Sequence, residues 1–168
     1  TGYVCDRYFM EIHSKIRQQV EDDAQEYLIH ESSGELEITS VDTLNASREP
    51  CTVFAFSEPL IIRVTYRAKD QIHDPVLGID LFTTDMLHLA GFNNRAQKCE
   101  VTLKREGVFE CCVERLTILP GVFTIGMKIK SGTNRVIYQA RNMATFQVSS
   151  GGELRNTSFG LMHLDTKW

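Results

Sequence analysis

Long apolar runs are missing from this chain: stretches such as Pro59-Leu60-Ile61-Ile62 and Leu116-Thr117-Ile118-Leu119 fall far short of the ~20 residues that a membrane-spanning helix needs. A soluble domain is the expectation. Positive charge is also short. The 18 Lys and Arg against 22 Asp and Glu leave a net charge of −4, without the surplus that non-specific nucleic-acid binding draws on. Cysteine is sparse and odd in number, with Cys5, Cys51, Cys99, Cys111 and Cys112, which argues against a disulfide scaffold. Adjacent strand residues point to opposite faces, so Cys111 and Cys112 are poorly placed to bond each other, and free thiols in a reducing compartment are expected. Neither G-x-x-x-x-G-K-[ST] nor G-x-G-x-x-G occurs, so nothing cradles a phosphate chain. His13, His30, His73, His88 and His163 form no H-x-H or H-E-x-x-H pair, and C-x-x-C is absent as well; no metal site is expected.

What the chain does contain is enough apolar residue, 42% of 168, to close one core. From Tyr3 to about His30, Cys5, Tyr8, Phe9, Ile12, Ile16, Val20 and Ala24 recur every three or four positions, which predicts an amphipathic helix. Ser32-Ser33-Gly34 ends it. Beyond that point short β-rich runs separated by turn residues predict an antiparallel β-sandwich, jelly-roll or immunoglobulin-like. The domains are therefore read as a helical linker over 1–33 and a β domain over 34–168. Strands are expected near 35–41, 52–56, 60–68, 76–83, 87–92, 99–103, 108–115, 122–130, 136–140 and 144–148. In the third of these Leu60, Ile62, Val64 and Tyr66 alternate with Arg63, Thr65 and Arg67, so the first set faces the core. The run from Phe123 to Ile129 alternates in the same way, as does that from Phe109 to Val113.

The outward parity of the middle strands carries Arg63, Thr65 and Arg67, then Asp80 and Phe82, then Glu110 and Glu114, then Lys128. Planar multi-donor groups, carboxylate acceptors and an aromatic ring are what a sugar binder needs, because sugars combine dense hydroxyls with apolar C–H faces. Taken as one exposed register, these eight residues form the candidate glycan site. The plain alternative is a solvated strand face. No nucleophile, base and orienting group fall into a recognisable catalytic signature, and Cys111 is read as a core residue. Asn45-Ala46-Ser47 and Asn156-Thr157-Ser158 match the glycosylation pattern only by chance, and Ser149-Ser150-Gly151-Gly152-Glu153 is read as a turn.

Several spaced motifs occur together: Asp74-Pro75-Val76-Leu77-Gly78-Ile79, Ala90-Gly91-Phe92-Asn93-Asn94, Leu116 to Gly126, Ala144-Thr145-Phe146-Gln147-Val148, and Gly160-Leu161 with Trp168. In this order the stretch from Leu36 to Trp168 resembles the C-terminal domain of Wzt-type ATPases, which belong to ABC transporters exporting bacterial polysaccharides such as O antigens. Asn94 stands where that family often has Thr. The resemblance implies a β-sandwich that binds the exported polysaccharide in the cytoplasm, at the bacterial inner membrane, commonly at a modified chain terminus. It implies no enzymatic role and no cofactor for this part, with ATP and Mg held by an ATPase domain that precedes it; the start at Thr1-Gly2-Tyr3 fits a piece of a longer chain. It also implies a homodimer with exchanged C-terminal strands, so Gly160, Leu161, Met162, Leu164 and Trp168 are expected at the dimer interface. A membrane-spanning transporter subunit is expected to be reached through the ATPase domain. A rival reading is an architectural module that dimerises the ATPase or docks another enzyme and touches no sugar.

Overall fold

The computed structural model describes residues 30–150 and 160–162. The expected helix from Tyr3 lies outside them, as do Leu164, Trp168 and the motif at Asn156. The described chain is all β. Its strands are β1 (His30–Ser32), β2 (Leu36–Leu44), β3 (Val53–Ala55), β4 (Leu60–Ala68), β5 (Ile72–His73), β6 (Val76–Thr83), β7 (His88–Asn93), β8 (Thr102–Leu103), β9 (Glu106–Val113), β10 (Gly121–Lys130) and β11 (Val136–Ser149). One sheet runs β1-β11-β10-β6-β7 with β3 parallel beside β11; the second runs β2-β4-β9 and is antiparallel; β5 and β8 form a small separate pair.

Period-two alternation explains the layering. Leu60, Ile62, Val64 and Tyr66 of β4 meet Leu77, Ile79 and Leu81 of β6 and Ile125, Met127 and Ile129 of β10 in one buried cluster. Side chains of one parity thus fill the space between the sheets, and their neighbours in sequence must face outward. Each fully buried Leu, Ile or Phe contributes about 1.5–3 kcal/mol through removal of apolar surface from water. Phe54 and Phe123 pack on Phe146 with ring centroids 6.1 and 5.7 Å away, closing the core near the end of β11.

Three differences from the expected strands have local causes. The runs expected at 136–140 and 144–148 are one strand, because β11 continues through a bulge: Ala140 pairs with Met127 and Ala144 with Ile125, leaving Arg141, Asn142 and Met143 opposite Gly126. Asn142 adopts φ 55° there, a left-handed conformation that Asn tolerates better than most residues. His30–Ser32 is a strand paired with Tyr138–Ala140, so the six-stranded sheet begins before the expected boundary at Gly34. The pairs Ile72–Leu103 and His73–Thr102 are too short to show a period.

Candidate functional site

The eight expected glycan-site residues do not share a surface. β4 and β9 belong to the three-stranded sheet, whereas β6 and β10 belong to the six-stranded sheet. Because the two sheets face each other across the core, outward from one is the opposite direction to outward from the other. Arg63, Thr65, Arg67 and Glu110 therefore lie together on one side of the molecule, and Asp80, Phe82 and Lys128 on the other. Glu114 follows β9 and is exposed at the sandwich margin.

On the three-stranded sheet, register builds a ladder of alternating charge. Cross-strand partners share a face, so Glu37, Arg67 and Glu106 form one row, Ser40, Thr65 and Val108 the next, and Asp42, Arg63 and Glu110 a third. Each arginine is flanked by carboxylates on both neighbouring strands. Arg63 Nε donates to Glu110 Oε1 at 2.9 Å, and Arg48 Nη1 donates to Glu110 Oε2 at 2.6 Å. The hydrogen bond from Arg63, reinforced by the charges of Arg48 and Arg63, holds the Glu110 carboxyl below the ordinary carboxylate range against the opposing effect of desolvation. Arg48 reaches this position from a turn that Asn45 organises, its Oδ1 accepting from the backbone N–H groups of Ser47 and Glu49. The Asn-x-Ser pattern at Asn45 thus has a structural use as an Asx turn.

The opposite face is built differently. Phe82 is only 6% exposed, so the ring expected to be open for stacking is covered. The Arg141 guanidinium lies 5.5 Å above its centroid, and the His88 ring is 5.2 Å away. His88 Nε2 lies 3.0 Å from Asp80 Oδ1. Gly126 makes room for the phenyl group, since a Cβ there would sit 2.8 Å from Phe82 Cε2 and 3.2 Å from the Ala140 carbonyl. Thr124, paired with Phe82 across β6 and β10, is 1% exposed, and its hydroxyl has no hydrogen-bond partner among the described residues. Lys128 is half-buried further along β10, opposite Gly78.

A third feature was not expected. At one flank of the sandwich β7 and β9 each end a sheet among the described residues. Between them opens a cleft of about 740 Å³, floored by Leu77, Ile79 and Leu81, walled by Phe92 and Phe109, and bordered by Glu110 and Glu114. Glu110 thus adjoins both the ladder and the cleft. Cys99, Cys111 and Cys112 also line it. Burial, with a smaller effect of Cys112, pushes the Cys111 thiol up, so it stays protonated and unreactive at neutral pH. The thiols of Cys51, Cys99, Cys111 and Cys112 are not cross-linked. Among the described residues no group of three or more His, Cys, Asp or Glu is placed to hold a metal ion, and no helix is long and apolar enough to cross a membrane. Of the expected dimer-interface residues, Gly160, Leu161 and Met162 are described. Met162 bridges to Ile118 and the Leu119 N–H donates to the Leu161 carbonyl at 2.9 Å, while the Leu161 and Met162 side chains are 40% and 50% exposed.

Sequence parity missed the partners that complete each face. Glu37 and Asp42 fall on opposite parities of β2 and share a face only because a bulge lies between Ile38 and Ser40. Arg141 sits in the bulge of β11. The cleft arises from which strands end the sheets, for which one strand's sequence carries no signal.

Two packed sheets with a polar ladder and an edge cleft define an all-β, mainly antiparallel sandwich. A family model described as the Wzt C-terminal domain matches residues 29–164, and the chain belongs to that family. This places it among the C-terminal domains associated with ABC exporters of polysaccharide. The crystal structure of the C-terminal domain of Wzt superposes with a TM-score of 0.68 at 16% identity, over 84% of this chain and 87% of that one; the shared fold is what this likeness shows. A Niemann-Pick type C2 protein from Japanese carpenter ant aligns with a TM-score of 0.48 at 7% identity, over 72% of this chain and 99% of that one. Among curated protein sequences none matches this chain.

Proposed function

We propose that this domain recognises the polysaccharide carried by an ABC exporter and couples completion of the chain to its export, without catalysing a reaction itself. The observation that supports this reading most is the charge ladder beside the cleft. Rows of guanidinium between carboxylates offer fixed donors and acceptors at the spacing of neighbouring strands, ~4.8 Å, where sugar hydroxyls can replace water without leaving a charge unpaired. Arg63, Thr65, Arg67 and Glu110 bind successive hydroxyls, and the chain terminus enters the cleft past Glu110 and Glu114. The domain works in the cytoplasm at the bacterial inner membrane, as a homodimer whose C-terminal strands exchange through the segment from Gly160. ATP and Mg are bound by a separate ATPase domain, which connects it to the membrane-spanning subunit.

Asp80, Phe82 and Lys128 have no part in this site, because they lie on the far face and the phenyl ring is covered. Binding to an array of bacterial polysaccharides tests the reading. Arg63→Ala and Arg67→Ala should each weaken a bound glycan by about tenfold or more, the loss of a charge-assisted hydrogen bond, with Lys128→Ala equal to the parent. Undiminished binding by both arginine variants would remove the ladder from the site.

A second reading, an architectural module that touches no sugar, draws on the exposed Leu161 and Met162. It predicts an empty array together with dimers that dissociate when both side chains are changed to Ser.

A further inference from the structure

Two cations on the outer face of the six-stranded sheet lack an acceptor among the described residues. Four Lys and Arg residues there or on the ladder are half-buried: Arg63, Lys128, Lys130 and Arg141. Arg63 donates to Glu110, and Lys130 Nζ donates to Asn134 Oδ1 at 3.0 Å, whereas Lys128 and Arg141 make no hydrogen bond or ion pair to any described residue. A cation held partly out of water without an acceptor loses hydration uncompensated. The two are also close together. Arg141 lies over the Phe82 ring, and a Cβ on Gly126 would sit 3.6 Å from Arg141 Cα; Lys128 follows Gly126 by two residues on the same face of β10, ~6.6 Å along the strand. The carboxylates of this face do not serve them: Asp80 Oδ1 is 3.0 Å from His88 Nε2, and Gln139 stands between Glu31 and Lys128 in the cross-strand row.

The chain ahead of β1 carries the opposite charge. Glu21, Asp22, Asp23 and Glu26 fall within six residues, and no Lys or Arg occurs between Arg17 and Arg48, so this run has no cation of its own to pair with. β1 delivers it to the right place, because His30 pairs with Ala140, the neighbour of Arg141. Glu26 stands four residues before His30, a reach of ~6 Å in a helix and ~13 Å in an extended chain. In the helix that the sequence predicts, Asp22 and Glu26 are one turn apart, ~6 Å, which matches the spacing of the two cations. We infer that the acidic run at 21–26 docks on the outer face of the six-stranded sheet of its own chain, with Asp22 and Glu26 pairing to Lys128 and Arg141. Charge complementarity and the point of entry at β1 carry this inference, which does not depend on glycan recognition. The clasp fixes the direction in which the preceding chain leaves the sandwich, on the face opposite the charge ladder.

The test uses the 168-residue chain as an equal mixture of unlabelled and nitrogen-15-labelled molecules. A carbodiimide joins a carboxylate to an amine only where the two are in contact, and mass spectrometry of the digest locates each joined pair. Lys128 should be joined to Asp22, Asp23 or Glu26 within one isotope class, and Lys104, exposed beyond β8, should not be. Hydrogen exchange over residues 21–29 should quicken about fivefold in Arg141→Glu, as for the loss of an ion pair, and should return toward the parent when Glu26→Arg is added. Lys128→Gln, a neutral change on the same face, should act in the same direction on a smaller scale. Joined pairs that mix the isotope classes assign the run of a second copy and overturn the inference. So does Lys128 left unjoined, Lys104 joined as readily, or exchange that neither Arg141→Glu nor Lys128→Gln alters.

Discussion

The two outer faces of this sandwich carry similar residue types in similar alternation, yet they are physically unlike. On the three-stranded sheet the alternate positions stay in water: Arg63 is 34% exposed and Arg48 63% in the pairs they make with Glu110, and Val108 is 55% exposed. On the six-stranded sheet Phe82, Gln147 and Thr124 are closed over, at 6%, 3% and 1%, while Asp80 and His88 beside them stay 33% and 54% exposed. The difference teaches that alternation assigns a side chain to one side of its own strand and says nothing about whether that side meets solvent. A substitution at Arg63 therefore reaches an exposed ion pair, whereas one at Phe82 or Thr124 reaches a buried side chain.

Substitution is the strongest way to break this contrast. Phe82→Ala should cost roughly 3–5 kcal/mol, as loss of a buried aromatic ring does, whereas Arg63→Ala should cost about 1 kcal/mol or less, as a partly exposed ion pair does. Urea unfolding of the two variants measures both, and equal losses would erase the distinction between the faces. Thr124 sharpens it at a smaller scale. Its buried hydroxyl lacks a partner among the described residues, so Thr124→Val should raise stability by about 1 kcal/mol; a loss of similar size would mean that the hydroxyl is satisfied after all.

The smallest expected effect is electrostatic and belongs to the ladder. Glu110 has a depressed folded-state value because Arg63 hydrogen-bonds its carboxylate. Its contribution to stability is thus complete above the ordinary carboxylate value of about 4.3 and is lost as pH falls through the lower folded value. Glu110→Gln should be less stable than the parent at neutral pH and should converge with it in acid. A gap that persists unchanged at the lowest pH would assign the loss to packing instead.

Much of the sandwich was legible because its central strands obey a strict period. Leu60 to Arg67 and Phe123 to Lys130 show the alternation that burial on one face imposes, and both are strands in the structure. Legibility failed where structure depends on partners distant in sequence. Arg63 and Asp80 look equivalent along the chain, and only pairing with β9 in one case and β10 in the other sends them to opposite sides. Arg141 was hidden because its bulge interrupts the alternation that was being followed. The open cleft was hidden because it is a property of two sheet edges, and edges are defined by the strand that is not there.

β11 is fourteen residues long and is held by β10 on one side and by β1 and β3 on the other. β1, the first described strand, lies antiparallel to the middle of β11. A tug on the polypeptide ahead of His30, directed along the strand axis, must slide all three paired positions at once instead of peeling them singly. Loading along the strand axis should therefore need more force than loading across it, a comparison that optical tweezers can make.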